Sequence, residues 1–337
     1  MRIALMGTGS LGTILGAYIA RAGFDIDLID SYEAHVQALN DTGARISGWV
    51  DFTQPVHALL PEEMEGDYDV VLYLAKQTYN QTAIPQIAAH IHDKSIVCVM
   101  QNGIPEYAVS AVIGEDHVVG APVGWGATFR GPGHSELTSE TNRLVFSLGA
   151  LDGKLDERID IVKMILESMG KVSVSDNLMG LRWCKLLMNA TFSGLSTALG
   201  TTFGGVMDSE DAMRLIIKIG EECMNVAAAL GIQVEPFEEY DFYKIFKPAG
   251  PEDYPASIEA CRKAWQPSYN LTASMAQDIL RGKPCEIRDI NGLVCQKGRQ
   301  TGVPTPINDL ILEIISGMEL GIYQYDTANM KYFEKYL

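Results

Sequence analysis

Residues 2–12, RIALMGTGSLG, join a short hydrophobic run to the pattern G-x-G-x-x-G. The residues that follow, TILGAYIARAG, carry an apolar stripe at helical spacing that ends at Gly23. Strand, glycine turn and helix in that order make a phosphate-binding unit. Gly7 permits the tight turn, Gly9 lets a pyrophosphate approach the main chain, and Gly12 brings helix and strand close together. The main chain through Thr8, Ser10 and Leu11 lies at the helix N-terminus, where peptide dipoles supply partial positive charge. The stretch predicts a dinucleotide site made by Gly7, Thr8, Gly9, Ser10, Leu11 and Gly12. The alternative is a structural turn that shares the pattern.

Outward from that turn the alternation continues. FDIDLID, YDVVLYLA, KSIVCVMQ, HVVGAPV and RLVFSLG read as strands, with helical segments between them. This predicts an α/β fold: an N-terminal Rossmann-type, doubly wound parallel sheet covered on both faces and joined by right-handed crossovers. From about residue 177 the periodicity turns almost wholly helical. A helix over 209–230 has Asp208 or Ser209 as its cap and Gly231 at its end, and another starts at Thr305-Pro306. The expected organisation is a dinucleotide-binding domain over 1–176 and an all-helical substrate and catalytic domain over 177–337, with a cleft between them. Residues 237–255, rich in proline and aromatics, read as an irregular excursion, and the aromatic stretch over 237–269 either shapes a pocket or makes an oligomer contact.

Bulk properties exclude several classes. A chain of 337 residues fits two domains. A formal net charge of -17 repels phosphate backbones and anionic lipid, so neither a nucleic acid nor a membrane is an expected partner. An anionic small molecule would need a pocket that concentrates the few cations. Cys98, Cys184, Cys223, Cys261, Cys285 and Cys295 form no C-x-x-C pair, which reads as buried, reduced thiols in a cytoplasmic protein without a metal site. MRIALMG runs straight into the glycine motif rather than resembling a signal peptide.

Candidate chemistry gathers at strand ends, where doubly wound sheets bind ligands. Asp30 closes FDIDLID, placed to accept hydrogen bonds from adenosine ribose hydroxyls; the following SYEAH offers no Arg for a 2'-phosphate, which favours NADH over NADPH. VVLYLAKQT delivers Lys76, and IVCVMQNGI delivers Gln101 and Asn102, to bind cofactor or an anionic substrate. GWGATFRGPGH adds a loop whose Gly and Pro set turns. In the helix from about 178, Lys185, Asn189, Ser193 and Ser196 form one narrow polar stripe among Trp183, Leu186, Leu187, Met188, Phe192 and Leu195. That stripe predicts a wet cleft; a snorkelling surface lysine is the alternative. Ketone reduction needs a proton donor at the carbonyl oxygen. All six histidines precede residue 135, so Lys185 is the candidate in the helical half, with Glu286 as a carboxylate that could orient it.

These motifs together resemble the ketopantoate reductase (2-dehydropantoate 2-reductase) family. The likeness rests on the N-terminal glycine pattern, KQT, QNG, K-x-x-x-N at Lys185 and Asn189, S-M-x-Q-D from Ser274, a Glu-Ile twelve residues later, then ING and GVPTP. It runs from residue 1 to about 320. The resemblance implies a Rossmann domain plus a helical domain, with hydride transfer from NADPH to a 2-oxo acid giving an (R)-2-hydroxy acid. It also implies Lys185 as general acid, Glu286 as its partner, Lys76 and Asn102 holding cofactor and substrate, Asn189 assisting substrate binding and Ser274 binding the substrate carboxylate.

Three positions depart from the family pattern. Ser193 stands, at the substrate position, where the family usually has Asn; Leu271 stands where a polar residue is common; and Asp30-Ser31 stands where an Arg tends to follow the second strand. Fewer side-chain amides favour a substrate with fewer hydroxyls, and the acidic strand end favours NADH. An NADH-linked D-2-hydroxyacid dehydrogenase is therefore the first alternative. A dehydrogenase of hydroxyisobutyrate or opine type and a non-catalytic dinucleotide sensor are the others. A homodimer is left open.

Overall fold

The computed structural model describes residues 1–237 and 239–337. Both faces of the first strand are apolar, and that determines what surrounds it. In β1 (Arg2–Met6), Ile3 and Leu5 join one buried cluster while Ala4 and Met6 join another on the opposite face. The first cluster takes in Ile14, Leu15 and Ile19 of α1 (Ser10–Arg21) and Val36 and Leu39 of α2 (Glu33–Thr42). The second takes in Ala83, Ile84 and Ile87 of α3 (Asn80–Ala88) and Val109 of α4 (Glu106–Ile113). A strand buried on both sides is what a parallel sheet with helices on each face demands.

The remaining strands are β2 (Asp25–Ile29), β3 (Ala44–Gly48), β4 (Phe52–Gln54), β5 (His57–Leu59), β6 (Tyr68–Tyr73) and β7 (Ile91–Val99). They continue with β8 (Val118–Gly120), β9 (Ala127–Gly131), β10 (His134–Leu137), β11 (Val145–Ala150) and β12 (Lys171–Val174). Eight of them form the main sheet in the order β12-β11-β8-β7-β6-β1-β2-β5. The expectation of an all-parallel sheet needs one correction: β11 runs antiparallel to β8. Between those two strands the chain leaves to add β9 and β10 to β3 and β4, which makes a second, four-stranded sheet, β4-β3-β10-β9, that the sequence pattern did not reveal. GPG at 131–133 makes the hairpin turn there, with positive φ at Gly131 and Gly133.

At the edge of the main sheet, Asp27 gathers three donors. Arg2 Nη2 lies 2.9 Å from Oδ2, Tyr68 Oη donates to the same oxygen at 2.8 Å, and His57 Nδ1 lies 2.7 Å from Oδ1. Burial raises the carboxyl pKa, but the bonds from His57, Tyr68 and Arg2 outweigh it and hold Asp27 below its ordinary value of 3.8. A carboxylate with a depressed folded pKa contributes stability above the unfolded value and loses it as pH falls through the folded one. Asp27→Asn should therefore cost about 2 kcal/mol at neutral pH and flatten the acid limb of stability below 3.8. Urea melts of both proteins across acidic pH test this; parallel curves would refute it.

By internal packing the chain forms two units: Met1–Gln101 with Pro105–Leu178, and Asn102–Ile104 with Met179–Leu337. The first unit also holds α5 (Glu157–Leu166), between β11 and β12. Among the described residues the second unit holds no strand. Its course begins with α6 (Leu178–Met188), a π turn (Asn189–Ser193) and α7 (Gly194–Ala198). There follow α8 (Phe203–Met207), α9 (Glu210–Ala229), α10 (Phe242–Phe246), α11 (Tyr254–Trp265), α12 (Ser274–Leu280), α13 (Asn291–Thr301) and α14 (Pro306–Glu319). Ser209 caps α9, its Oγ accepting from Ala212 N, and Pro306 opens α14.

The excursion after α9 is anchored to the core by a few aromatic side chains. Phe242, Phe246 and Trp265 are buried, and the Trp265 ring stacks on Phe192 of the π turn at 4.8 Å and 16°. Within the expected irregular stretch, Glu238 lies outside the described residues.

Candidate functional site

The three glycines of the first turn do different work. Gly7 has φ +99°, and a Cβ there would stand 2.3 Å from Ala75 N. At Gly12 a Cβ would stand 2.2 Å from Gly7 O. Around Gly9 a Cβ would meet nothing within 4 Å, and the residue is exposed. Gly7 and Gly12 thus fold the turn, while Gly9 presents open main chain at the N-cap of α1. This is the face on which an anionic diphosphate fits.

Asp30 binds the turn as well as ending β2. Its Oδ2 accepts from Thr8 N (2.8 Å) and Thr8 Oγ1 (3.0 Å), and Oδ1 accepts from Tyr32 N (2.9 Å). It is half-buried, so the carboxylate is oriented by the loop and keeps acceptor capacity toward solvent. His35 was missed by sequence reasoning. Gly133 N donates to its Nδ1 (2.8 Å), which leaves the proton on Nε2 facing Thr8 O (2.8 Å). Burial holds its pKa below 6.5 and the ring neutral. A solitary histidine in a helical pattern carries no sequence signal for this bridge between the second sheet and the glycine turn.

Beyond β6, Lys76 is half-buried and heads the 3-10 turn Gln77–Tyr79. Gln101 Nε2 donates to Ala75 O and to Asn80 Oδ1, and Tyr73 Oη also reaches Asn80 Oδ1 at 2.7 Å. The amide of Gln101 therefore shapes the loop that carries Lys76. Asn102 packs with the second unit, because Ile104 is buried among Trp183 and the other core residues of its helices. Its Nδ2 donates to Glu286 Oε2 at 3.1 Å.

In the second unit the quoted polar stripe changes shape. Lys185, Asn189 and Ser193 are half-buried, whereas Ser196 is fully buried, with its Oγ directed to Ser193 O. The reason is the π turn: one extra residue per turn shifts the register, so the i+11 position no longer falls on the stripe. Burial lowers the Lys185 pKa, opposed by the neighbouring Cys184 thiol. Glu286 is buried and its Oε2 is engaged by Asn102. Ser274 is exposed at the first residue of α12, and Leu271 is exposed just before it.

All six cysteines are buried. Burial pushes the Cys184 thiol up to about 12 and raises those of Cys223, Cys261, Cys285 and Cys295, which makes nucleophilic thiolate chemistry at these five unfavourable. Among the described residues no group of His, Cys, Asp or Glu could hold a metal ion, and no helix is long and apolar enough to cross a membrane.

A Rossmann-type sheet with an open glycine turn, joined in sequence to a helical unit, defines a class: dinucleotide-binding proteins of the Rossmann type. Within that class the chain belongs to the ketopantoate reductase family. Residues 3–150 match the family described as Ketopantoate reductase PanE/ApbA, and residues 177–319 match its C-terminal counterpart. A 2-dehydropantoate 2-reductase of Archaeoglobus fulgidus is 25% identical over 322 residues, covering 95% of this chain and 99% of the relative. One from Mesorhizobium japonicum is 26% identical, covering 96% and 100%. Among solved structures, a PanE/ApbA family ketopantoate reductase from Ralstonia eutropha JMP134 superposes with TM-score 0.80 at 26% identity, covering 96% and 99%. A D-mandelate dehydrogenase with NADH and anilino(oxo)acetate shares the fold with TM-score 0.81 at 24% identity, covering 96% and 99%.

Proposed function

We propose that this protein reduces a 2-oxo acid to an (R)-2-hydroxy acid, with Lys185 as the proton donor. The observation that carries the reading is an amine of lowered pKa, half-buried on an oily helix, one turn before Asn189 and two before Ser193. An ammonium whose pKa moves toward neutrality is a stronger acid and transfers its proton more readily to a forming alkoxide. The glycine turn, Asp30 and Lys76 would hold the dinucleotide, and Gly9 offers the uncrowded main chain its diphosphate requires. When bound, the nicotinamide supplies the hydride that reduces C2. Lys185 would then neutralise charge at the carbonyl oxygen, while Ser274 would anchor the carboxylate and Asn189 and Ser193 the substrate's flank. Asn102, held by Glu286, would complete the polar lining.

Asp30 and Leu271 favour a narrower reading within this one. A carboxylate at the ribose position, followed by Ser31 and Tyr32, repels a 2'-phosphate. An exposed leucine beside Ser274 suits an apolar side chain better than a hydroxylated one. The favoured version is therefore an NADH-linked D-2-hydroxyacid dehydrogenase, with ketopantoate reduction as its competitor. The test is steady-state turnover of ketopantoate and of branched and aromatic 2-oxo acids, each with NADH and NADPH. NADH is expected to win by at least about tenfold in kcat/KM, and apolar substrates to exceed ketopantoate. Tighter use of NADPH would overturn the cofactor preference, and no turnover of any 2-oxo acid would overturn the function.

A further inference from the structure

Behind the π turn runs a chain of buried polar side chains that the chemistry above does not use. Glu222, on α9, accepts from Ile307 N (2.9 Å) and Asn308 N (3.0 Å) at the start of α14, and from Asn308 Nδ2 (2.7 Å). Asn308 Oδ1 accepts from Asn291 Nδ2 (2.9 Å), and that same amide nitrogen donates to Ala190 O (3.0 Å), inside the π turn. Asn291 and Asn308 are fully buried, and Glu222 nearly so.

The direction of this chain is fixed by chemistry. Ionised Glu222 can only accept, so Asn308 must turn its NH2 toward it and its carbonyl toward Asn291. Asn291 must then present its NH2 to Asn308 and has its second N–H for Ala190 O. Two amides that could each be flipped are thereby locked in one orientation. The end of the lock is a main-chain carbonyl between Asn189 and Ser193. Gly194, immediately after the turn, makes room: a Cβ there would stand 2.7 Å from Asn291 Oδ1.

We propose that Asn291, oriented by Asn308 and Glu222, is a positioning residue that holds the π turn and so sets the placement of Asn189 and Ser193 toward the substrate. A π turn strains the regular helix ladder and persists where something outside the helix supports it. Here the support is directional, because it fastens one carbonyl rather than filling a volume. This role rests on the proposed 2-oxo acid reduction only in taking Asn189 and Ser193 as substrate residues.

The experiment compares full-length wild type with Asn291→Ala by steady-state kinetics, NADH titration and amide hydrogen exchange over residues 189–195. Exchange in that segment is expected to accelerate, KM for the accepted 2-oxo acid to rise and kcat to fall, each about tenfold. NADH affinity should stay within about twofold, since the glycine turn is untouched. Unchanged exchange overturns the proposal; so does faster exchange with wild-type KM and kcat, which would make the amide merely structural. A wild type that reduces no 2-oxo acid refutes the activity instead, and exchange alone then decides whether Asn291 holds the turn. Should Asn291→Ala fail to fold, Gly194→Ala gives a second arm: alanine favours helix there, and its methyl group displaces the Asn291 amide. The same exchange and KM changes are expected.

Discussion

Turnover by Lys185→Ala is expected to fall at least about a hundredfold below wild type, with the protein still folded and still binding NADH. The argument starts from where the side chain sits. Lys185 is carried on a helix whose other faces, Trp183, Leu186 and Leu187, are buried core. Its burial costs the charged form, which is why its pKa lies below the ordinary 10.5. That cost stays in the structure, and the proposed role of proton donor would account for it. The sign of the pH dependence follows. Reduction needs the ammonium, so kcat/KM should drop as pH rises through the lowered pKa, with the basic limb below 10.5. Lys185→Arg separates charge from acidity. Guanidinium keeps the positive charge but cannot release a proton, so it should restore substrate binding more than turnover. Near-normal kcat in Lys185→Ala, measured at saturating substrate across pH, would remove this residue from the chemistry.

The second large effect separates two glycines of one motif. Gly7→Ala places a methyl group 2.3 Å from Ala75 N at a residue with φ +99°, so strain and clash act together. A loss of about 2–4 kcal/mol in stability is expected, with NADH affinity weakened at least about tenfold because the turn is deformed. Gly9→Ala should behave in the opposite proportion. A Cβ at Gly9 meets nothing within 4 Å, so the clash that acts at Gly7 is absent and the loss of stability should be smaller than for Gly7→Ala. Yet the methyl group would project where a diphosphate must come close, so NADH affinity should still fall. Thermal melts paired with cofactor titrations check both. Equal destabilisation by the two substitutions would show that the open space at Gly9 is not what distinguishes it.

Sequence reasoning succeeded where one period governs a long stretch. β1, β6 and β7 each contain a run of four apolar residues (IALM, VVLY and IVCV), β2 is apolar but for Asp25 and Asp27, and α9 and α14 carry full helical stripes between a cap and a stop. It failed on short pieces. β5, at the edge of the main sheet, has three residues; β4 is as short, and β3 pairs with β10 across a long stretch of chain, so local pattern says nothing about the second sheet. The polar stripe from Lys185 to Ser193 was legible, but a fixed 3.6-residue period placed Ser196 wrongly, because a π turn has no signature in residue type. Glu286 could be singled out from its motif, yet its contact with Asn102 depends on Ile104 packing among the helices. The bridge through His35 and the chain from Glu222 to Ala190 join residues far apart in sequence, which no spacing rule anticipates.

That last separation bears on how the molecule matures. Asn291 lies 101 residues beyond the carbonyl it fastens, and Asn308 lies 86 residues beyond Glu222. Contacts closed over such loops form late, since the chain entropy must be lost before the bonds are gained. The glycine turn, by contrast, is tied to Asp30 within 22 residues. A nascent chain would thus tie its glycine turn early and gain the support of its π turn only after the helix Pro306–Glu319 has docked.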